Sequence, residues 1–515
     1  MSGLFAAAAW PTTAWRAVRC GVVVPTLQLA VYVCVAMSLM LFVERLYMAL
    51  VVACLWLLRR RSCYCRSEDD GGDDLEANGR PMVLVQIPMF NEKQVYRLSI
   101  GAACGMTWPS DKLVIQVLDD STDSATREMV EEECRRWAGK GVSIRYENRR
   151  NRSGYKAGAM REGLRKPYAG DCEFVAIFDA DFQPDADFLL RTVPLLVADP
   201  GLALVQARWR FVNADDCLLT RIQEMSLDYH FRVEQEVGSA CHAFFGFNGT
   251  AGVWRLRALE DAGGWKDRTT VEDMDLAVRA SLRGWRFLYA GDVPVRNELP
   301  STLRAYRYQQ HRWSCGPANL FRKMFREVLA SARVSPWKKL HLLYGFFFVR
   351  KVVAHLVTFA FYCVVIPACV LAGGDVRLPK YVALYVPAAI TLLNAACTPR
   401  SWHLLIFWIL FENVMSMHRS KATVIGLLEA SRANEWVVTE KLGGKTTTMR
   451  KKTSSSSSSS GVHVAEILLG ACLLYCAVYD IAYGRDSFYI YLLLQSAAAF
   501  IVGFGYVGAT SPTAS

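Results

Sequence analysis

Long apolar stretches at both ends of the chain, flanking a densely charged middle, limit most strongly what this sequence can fold into. Residues 27–58 carry no charge except Glu44 and Arg45. Nearly uncharged runs follow at 352–371, 381–397, 462–483 and 488–507. A membrane-crossing helix needs about 20 apolar residues, and each of these segments is near that length or beyond it. The chain therefore reads as a polytopic membrane protein carrying one large water-soluble domain. Of its 515 residues, 52% are hydrophobic, which excludes a disordered chain. Only 21% are charged, against about 25% in an ordinary soluble domain.

Orientation follows from Lys and Arg. Arg59, Arg60, Arg61 and Arg66 follow the first apolar run, and Arg350 and Lys351 precede the second. Positive-inside bias places the segment between them in the cytosol. The organisation expected is a lumenal tail and first membrane helix (1–58), a cytosolic domain (59–345), membrane helices two and three (346–400), a cytosolic stretch (401–461), and helices four and five with a short tail (462–515). Residues 402–417 are apolar but short and contain Glu412, so they read as an interfacial helix. Arg350 reads as snorkelling towards the membrane surface. The serine run 454–460 reads as a flexible linker.

The net charge of +11 is assigned to these basic flanks and to a phosphate site rather than to nucleic acid. Sixteen cysteines show no disulfide-framework spacing. Cys34, Cys54, Cys363, Cys369, Cys472 and Cys476 lie in apolar runs and read as buried, reduced thiols. Asn151 and Asn248 fit the glycosylation pattern, but neither is modified in a cytosolic domain.

Between Arg80 and Pro300, apolar strand-like runs alternate with helical patterns. The runs are Val83–Ile87, Leu113–Leu118, Ser143–Tyr146 and Phe174–Phe178, with a helix expected from Ser124 to Gly139. Such alternation implies a mostly parallel, doubly wound sheet, and these folds bind ligands beyond the carboxyl ends of their strands. Acidic residues stand at those ends. Asp119-Asp120 closes one strand, Asp179-Ala-Asp181 another, and Glu272-Asp273 follows later. Grouped hard carboxylates suit Mg2+ or Mn2+, and an extended Asp-x-Asp turns two carboxylates the same way. Arg149, Arg150, Arg152 and Lys156 lie between the first two clusters as candidate diphosphate contacts. In Gln309-Gln-His-Arg-Trp313, Gln309 and Arg312 share a helical face, and Trp313 offers a flat face to a sugar.

In this order, the paired Asp, Asp-x-Asp, Glu-Asp and Gln-x-x-Arg-Trp resemble those of processive glycosyltransferases of family 2. More narrowly, the chain resembles the plant cellulose-synthase-like A family of mannan and glucomannan synthases. The match is carried by Val85-Gln-Ile-Pro-Met-Phe-Asn-Glu92, Gln116-Val-Leu-Asp-Asp-Ser-Thr-Asp123, Gly154-Tyr-Lys-Ala-Gly-Ala159 and Phe244-Phe-Gly-Phe-Asn-Gly-Thr250. Trp436-Val-Val-Thr-Glu-Lys441 resembles the gating loop of cellulose synthases, with Trp where they have Phe.

The resemblance implies an α/β domain of glycosyltransferase-A type embedded in a polytopic α-helical membrane protein. It implies that Asp120 is an active-site acid binding the nucleotide, that Asp179 and Asp181 hold Mg2+ or Mn2+ and the donor phosphates, and that Asp273 is the general base. Gln309, Arg312 and Trp313 would shape the acceptor and diphosphate site, Lys156 would add charge to the leaving diphosphate, and Thr439 and Lys441 would reach phosphate. The donors implied are GDP-mannose and GDP-glucose. The product is a growing β-1,4-linked mannan or glucomannan chain made at the Golgi membrane, with a homo-oligomer or accessory subunit as a possible partner. Two other readings are a UDP-glucose-dependent β-glucan synthase and a non-catalytic scaffold that binds nucleotide sugar. The absence of a long Cys-rich N-terminal zinc region argues against plant cellulose synthase itself.

Overall fold

The apolar runs become the centre of one sheet. In the computed structural model, β1 (Val83–Met89), β2 (Leu113–Asp119), β3 (Ile144–Asn148) and β4 (Phe174–Ile177) are mutually parallel, in the order β3-β2-β1-β4. The structure describes residues 15–61, 79–149, 151–373, 375–429, 462–484 and 487–508. The N-terminal tail, Arg66, Arg150, the Trp436–Lys441 motif with Thr439 and Lys441, and the serine run lie outside the described residues.

Every residue of β2 is buried, and every residue of β1 except Pro88. This follows from helices covering both faces of a parallel sheet. Alternate residues feed two cores: Leu84, Val114 and Val175 on one face, Val85, Ile115 and Ala176 on the other. Two buried glutamines inside these strands are joined by a side-chain hydrogen bond. Gln86 Nε2 donates to Gln116 Oε1 at 2.9 Å, and Gln116 Nε2 donates to Gly163 O at 3.0 Å on the helix Tyr155–Leu164.

The sheet continues as β7 (Gly252–Arg255), β6 (Leu202–Phe211), β8 (Arg286–Asn297) and β5 (Gln183–Pro184). Of the seven pairings, four are parallel, and β4–β7, β6–β7 and β5–β8 are antiparallel. The reversal at β7 matters for the site. Ile177 pairs with Gly252, so the chain entering β7 lies at the edge where β1, β2 and β4 end. The strand order reverses between β1 and β4, the switch point where open α/β sheets bind ligands.

Among the described residues, three helices are long and apolar enough to cross a membrane: Trp15–Leu58, Pro336–Leu371 and Val464–Tyr483. Two shorter apolar helices, Tyr381–Ala395 and Phe488–Gly503, fall in the other two runs. The second long helix begins well before its apolar run. Its Leu342, Phe346 and Phe347 belong to the core under the sheet, so it is as much part of the soluble domain as of the membrane. Residues 402–417 fall largely within a longer helix, Leu405–Leu428, with Glu412 paired to Arg419 at 2.5 Å.

The charges that interrupt the first apolar run are paired rather than free. Arg350 Nε donates to Glu44 Oε1 at 2.6 Å, and Arg45 donates to Glu234 at 3.0 Å while lying 4.4 Å over the Tyr229 ring. Arg350 therefore does not snorkel. A buried cation is tolerable when a carboxylate neutralises it, and that partner lies 306 positions away in sequence. Among the described cysteines none is bridged. Cys34, Cys363, Cys369 and Cys476 are buried as expected, whereas Cys54 and Cys472 face outward.

The helices Leu303–Ala330 and Leu405–Leu428 cross backbone against backbone at Gly426, where an added Cβ would collide with Cys315 O. Gly426→Ala is therefore expected to destabilise the fold by about 1–3 kcal/mol through overpacking, read as a lower thermal transition of the detergent-solubilised protein.

Candidate active site

The carboxyl edge of the sheet opens into one cavity. Asp120, Lys156, Asp179, Asp181, Asp273, Gln309, Arg312 and Trp313, named from sequence alone, all line it. Thr439 and Lys441 fall outside the described residues.

The paired aspartates divide their work. Asp119 faces inward, fully buried, and accepts from Ser121 N at 2.9 Å and Tyr146 OH at 2.9 Å. Asp120 faces the cavity and is gripped by Arg149, whose Nε donates to Oδ1 at 2.7 Å and whose second nitrogen donates to Oδ2. Arg149 also donates to Ser153 O at 3.1 Å and Tyr155 O at 3.0 Å. Sequence had offered Arg149 as a diphosphate contact, but the structure commits it to Asp120. Of that basic group, Arg152 and Lys156 line the cavity.

Lys156 ties the second acidic cluster to the loop before β7. Its Nζ donates to Asp179 Oδ1 and to Gly249 O at 2.8 Å. Burial opposes its charge, but Asp179, Glu272 and Asp273 outweigh that cost and hold it above the ordinary lysine value. Asp179 is further placed by its own amide, which donates to Thr250 Oγ1 at 2.9 Å.

Glu272 and Asp273 open the helix Glu272–Leu282. A helix N-terminus favours a carboxylate by about 0.3–1 kcal/mol when exposed. Here burial wins: it pushes Glu272 up to about 8, with repulsion from Asp273 adding to it, and Asp273 up to about 6. Asp273 Oδ1 accepts from Met274 N at 2.6 Å, and Gly249, in the left-handed region at φ 81°, leaves room beside Oδ2 where a Cβ would come within 2.7 Å.

A carboxylate with this setting can take a proton near neutral pH. It must be ionised to do so, so a reaction that used it as base would gain activity as pH rises through its folded pKa. The acid limb of kcat/KM, which reports the free enzyme, is expected near pH 6 rather than at the ordinary aspartate value of about 3.9. An acid limb below pH 5 would contradict that assignment.

Gln309, Arg312 and Trp313 reach the cavity from the helix Leu303–Ala330, whose start is capped by Thr302 Oγ1 accepting from Ala305 N at 3.3 Å. Behind Trp313 lies a second, more apolar cavity, lined by Phe231, Gln235, Tyr306, Phe346 and Arg350 among others. Sequence reasoning missed the Arg149 clamp, and it missed Trp209 and Asn248, which line both cavities. The Phe244–Thr250 stretch was the available signal for Asn248, though nothing local assigned it a role. Among the described residues no group of three or more His, Cys, Asp or Glu side chains could hold a metal. Asp179 and Asp181 offer two hard carboxylates and leave further positions to a ligand, a donor set that fits Mg2+ or Mn2+ bound together with phosphate oxygens.

Comparison with known proteins gives the family. Glycosyl transferase family 2 matches residues 84–251, and Glycosyl transferase family group 2 matches residues 174–395. Glucomannan 4-beta-mannosyltransferase 1 of Cyamopsis tetragonoloba is 61% identical over 505 residues, covering 97% of this chain and 96% of its own. Glucomannan 4-beta-mannosyltransferase 1 of Oryza sativa subsp. japonica is 61% identical over 507 residues, covering 97% of each. Among solved structures, a mannosyltransferase from Pyrobaculum calidifontis in complex with GDP-Man and Mn2+ aligns with a TM-score of 0.47 and 21% identity, covering 77% of this chain and 99% of that one. The chain belongs to the glucomannan 4-beta-mannosyltransferase family, within the family 2 glycosyltransferases.

Proposed function

We propose that this protein is a processive, inverting glycosyltransferase that polymerises mannose from GDP-mannose, and glucose from GDP-glucose, into a β-1,4-linked mannan or glucomannan backbone. The observation that carries the reading is the convergence of Asp120, Lys156, Asp179, Asp181, Asp273, Gln309, Arg312 and Trp313 on one cavity, in a chain 61% identical to named glucomannan 4-beta-mannosyltransferases.

In this mechanism Asp120, held by Arg149, binds the nucleotide. Asp179 and Asp181 would hold Mg2+ or Mn2+, which supplies charge neutralisation to the donor diphosphate. Lys156 and Arg312 hold the diphosphate by charge-assisted hydrogen bonds. Asp273 takes the proton of the acceptor 4-hydroxyl. The oxygen bonds to the sugar C1 from the face opposite the diphosphate, the C1–O bond to phosphate breaks, and GDP leaves with the electron pair. Inversion at C1 follows from that single displacement.

The soluble domain faces the cytosol in this reading, since the basic flanks of the first two apolar runs lie on its side, and the membrane is that of the Golgi. The growing chain passes the Trp313 face towards the second cavity. Membranes from a host expressing the full chain should incorporate label from GDP-mannose and GDP-glucose but not from UDP-glucose. A chelator should abolish incorporation, and Mn2+ or Mg2+ should restore it. Incorporation from UDP-glucose alone would move the chain to the β-glucan synthases, and full activity in excess chelator would remove the metal from the account.

A further inference from the structure

The base and the acceptor contacts come from different helices. Asp273 stands in the first turn of Glu272–Leu282, while Gln309, Arg312 and Trp313 belong to Leu303–Ala330. Whatever fixes one helix against the other also fixes where an acceptor hydroxyl sits relative to its base.

The helix Leu303–Ala330 meets the segment leading into Asp273 at two levels. Arg312, Gly316, Lys323 and Glu327 share one helical face, being four, seven and four residues apart. At Gly316, one turn beyond Arg312, there is no room for a side chain. A Cβ there would come within 2.6 Å of Val271 Cγ1 and 2.9 Å of Thr270 Oγ1. Both neighbours are buried and line the catalytic cavity. Both are β-branched, with little rotamer freedom to yield.

The second level is a brace built on Arg268. Lys323 Nζ donates to Arg268 O at 2.7 Å. The Arg268 guanidinium forks two ways. Nη1 donates to Glu327 Oε1 at 2.5 Å and Nε to Asp275 Oδ1 at 2.8 Å, and Nη2 reaches both carboxylates, at 3.2 Å and 2.5 Å. Asp275 is fully buried and shares the first turn with Asp273. Its other oxygen accepts from Arg279 Nε at 2.8 Å, and Arg279 in turn donates to Ala262 O and Gly264 O. One arginine thus joins the helix that carries the base to the helix that carries Arg312 and Trp313.

Stability asks little of the Glu327 arm. The Glu327 side chain is 44% exposed, and Asp275 keeps Arg279 when Glu327 is lost. An exposed ion pair of this kind stabilises a fold only slightly. Alignment is a stricter demand, since a misplacement of about 1 Å can cost about 100-fold in rate.

We propose that Arg268, Glu327 and Gly316 are positioning residues that hold the Arg312–Trp313 face in register with Asp273, so that the base meets the acceptor hydroxyl rather than water. This rests on the transferase reading above. Water needs no helix face to place it, so loss of register favours hydrolysis of the donor. The water oxygen then bonds to the sugar C1, Asp273 takes its proton, and the C1–O bond to phosphate breaks. GDP leaves with the electron pair, and free mannose is the second product.

The test follows GDP released and mannose built into polymer, in membranes carrying the full chain. Their ratio does not depend on how much of the protein is folded. In Glu327→Ala, polymerisation per folded protein is expected to fall about fivefold. KM for GDP-mannose should stay within about twofold of wild type, because Asp120, Lys156 and Asp179 lie on other elements. GDP released per mannose incorporated should rise at least about twofold. Glu327→Gln, which keeps an acceptor for Arg268, should recover part of both effects. Gly316→Ala should raise the ratio further, because its methyl group pushes directly on Thr270 and Val271. A thermal transition within about 2 °C of wild type in Glu327→Ala separates alignment from folding. Should Gly316→Ala fail to fold, the two Glu327 variants decide. A folded Glu327→Ala with wild-type turnover and ratio would overturn the assignment. So would a lower turnover at an unchanged ratio, which is what a merely structural role gives. A wild type that makes no polymer from any donor would sink the transferase reading, and this assignment with it.

Discussion

Asp273→Asn is expected to lower sugar transfer by about 10²–10⁴-fold, the contribution of a positioned general base, without loss of folding. Asparagine keeps the oxygen that accepts from Met274 N and fills the same space. It also removes a charge that burial disfavours. The folded pKa of Asp273, about 6, lies above the unfolded value of about 3.9. Its ionised form therefore costs stability, a cost that appears as pH rises from the unfolded value and is complete above the folded one. At neutral pH the variant should be at least as stable as wild type, measured by thermal unfolding in detergent. A variant that is inactive because it no longer folds would make Asp273 a structural residue.

Arg149→Ala should be the most damaging change at the donor end. Arg149 and Asp120 are each nearly buried, at 10% and 6% side-chain exposure. Removing one partner of a buried ion pair costs about 3–5 kcal/mol, because the other charge is stranded. The variant should unfold at markedly lower temperature, and what folds should bind donor poorly, because Asp120 loses the group that aims it. Arg149→Lys should rescue little. A lysine can meet one carboxylate oxygen but cannot make the two-pronged contact and also reach Ser153 O and Tyr155 O. Wild-type KM and stability in Arg149→Lys would show that the fork geometry is not needed.

What could be read from the sequence follows the range of the interactions involved. β1, β2 and β4 were legible because strands buried on both faces must be almost continuously apolar. Asp120, Asp179 and Asp181 were legible because they follow those strands directly. Trp209 stands where β6 pairs with β8, and Asn248 in the loop before β7, and no local pattern announces either placement. Arg350 looked like a snorkelling side chain because its carboxylate partner is in another helix. The start of the helix at Pro336 was not legible ahead of the apolar run at 352, because its first turns bury Leu342 and Phe346 against the sheet rather than in lipid.

The central claim is that this cavity builds a mannan backbone from GDP-mannose. The most direct measurement is incorporation of labelled mannose by membranes carrying the full chain, beside membranes carrying Asp273→Asn at equal protein level. The account predicts a polymer that a β-mannanase digests, made by the wild type and absent from the variant. Equal polymer from both, or a wild-type product that resists the β-mannanase, would contradict it.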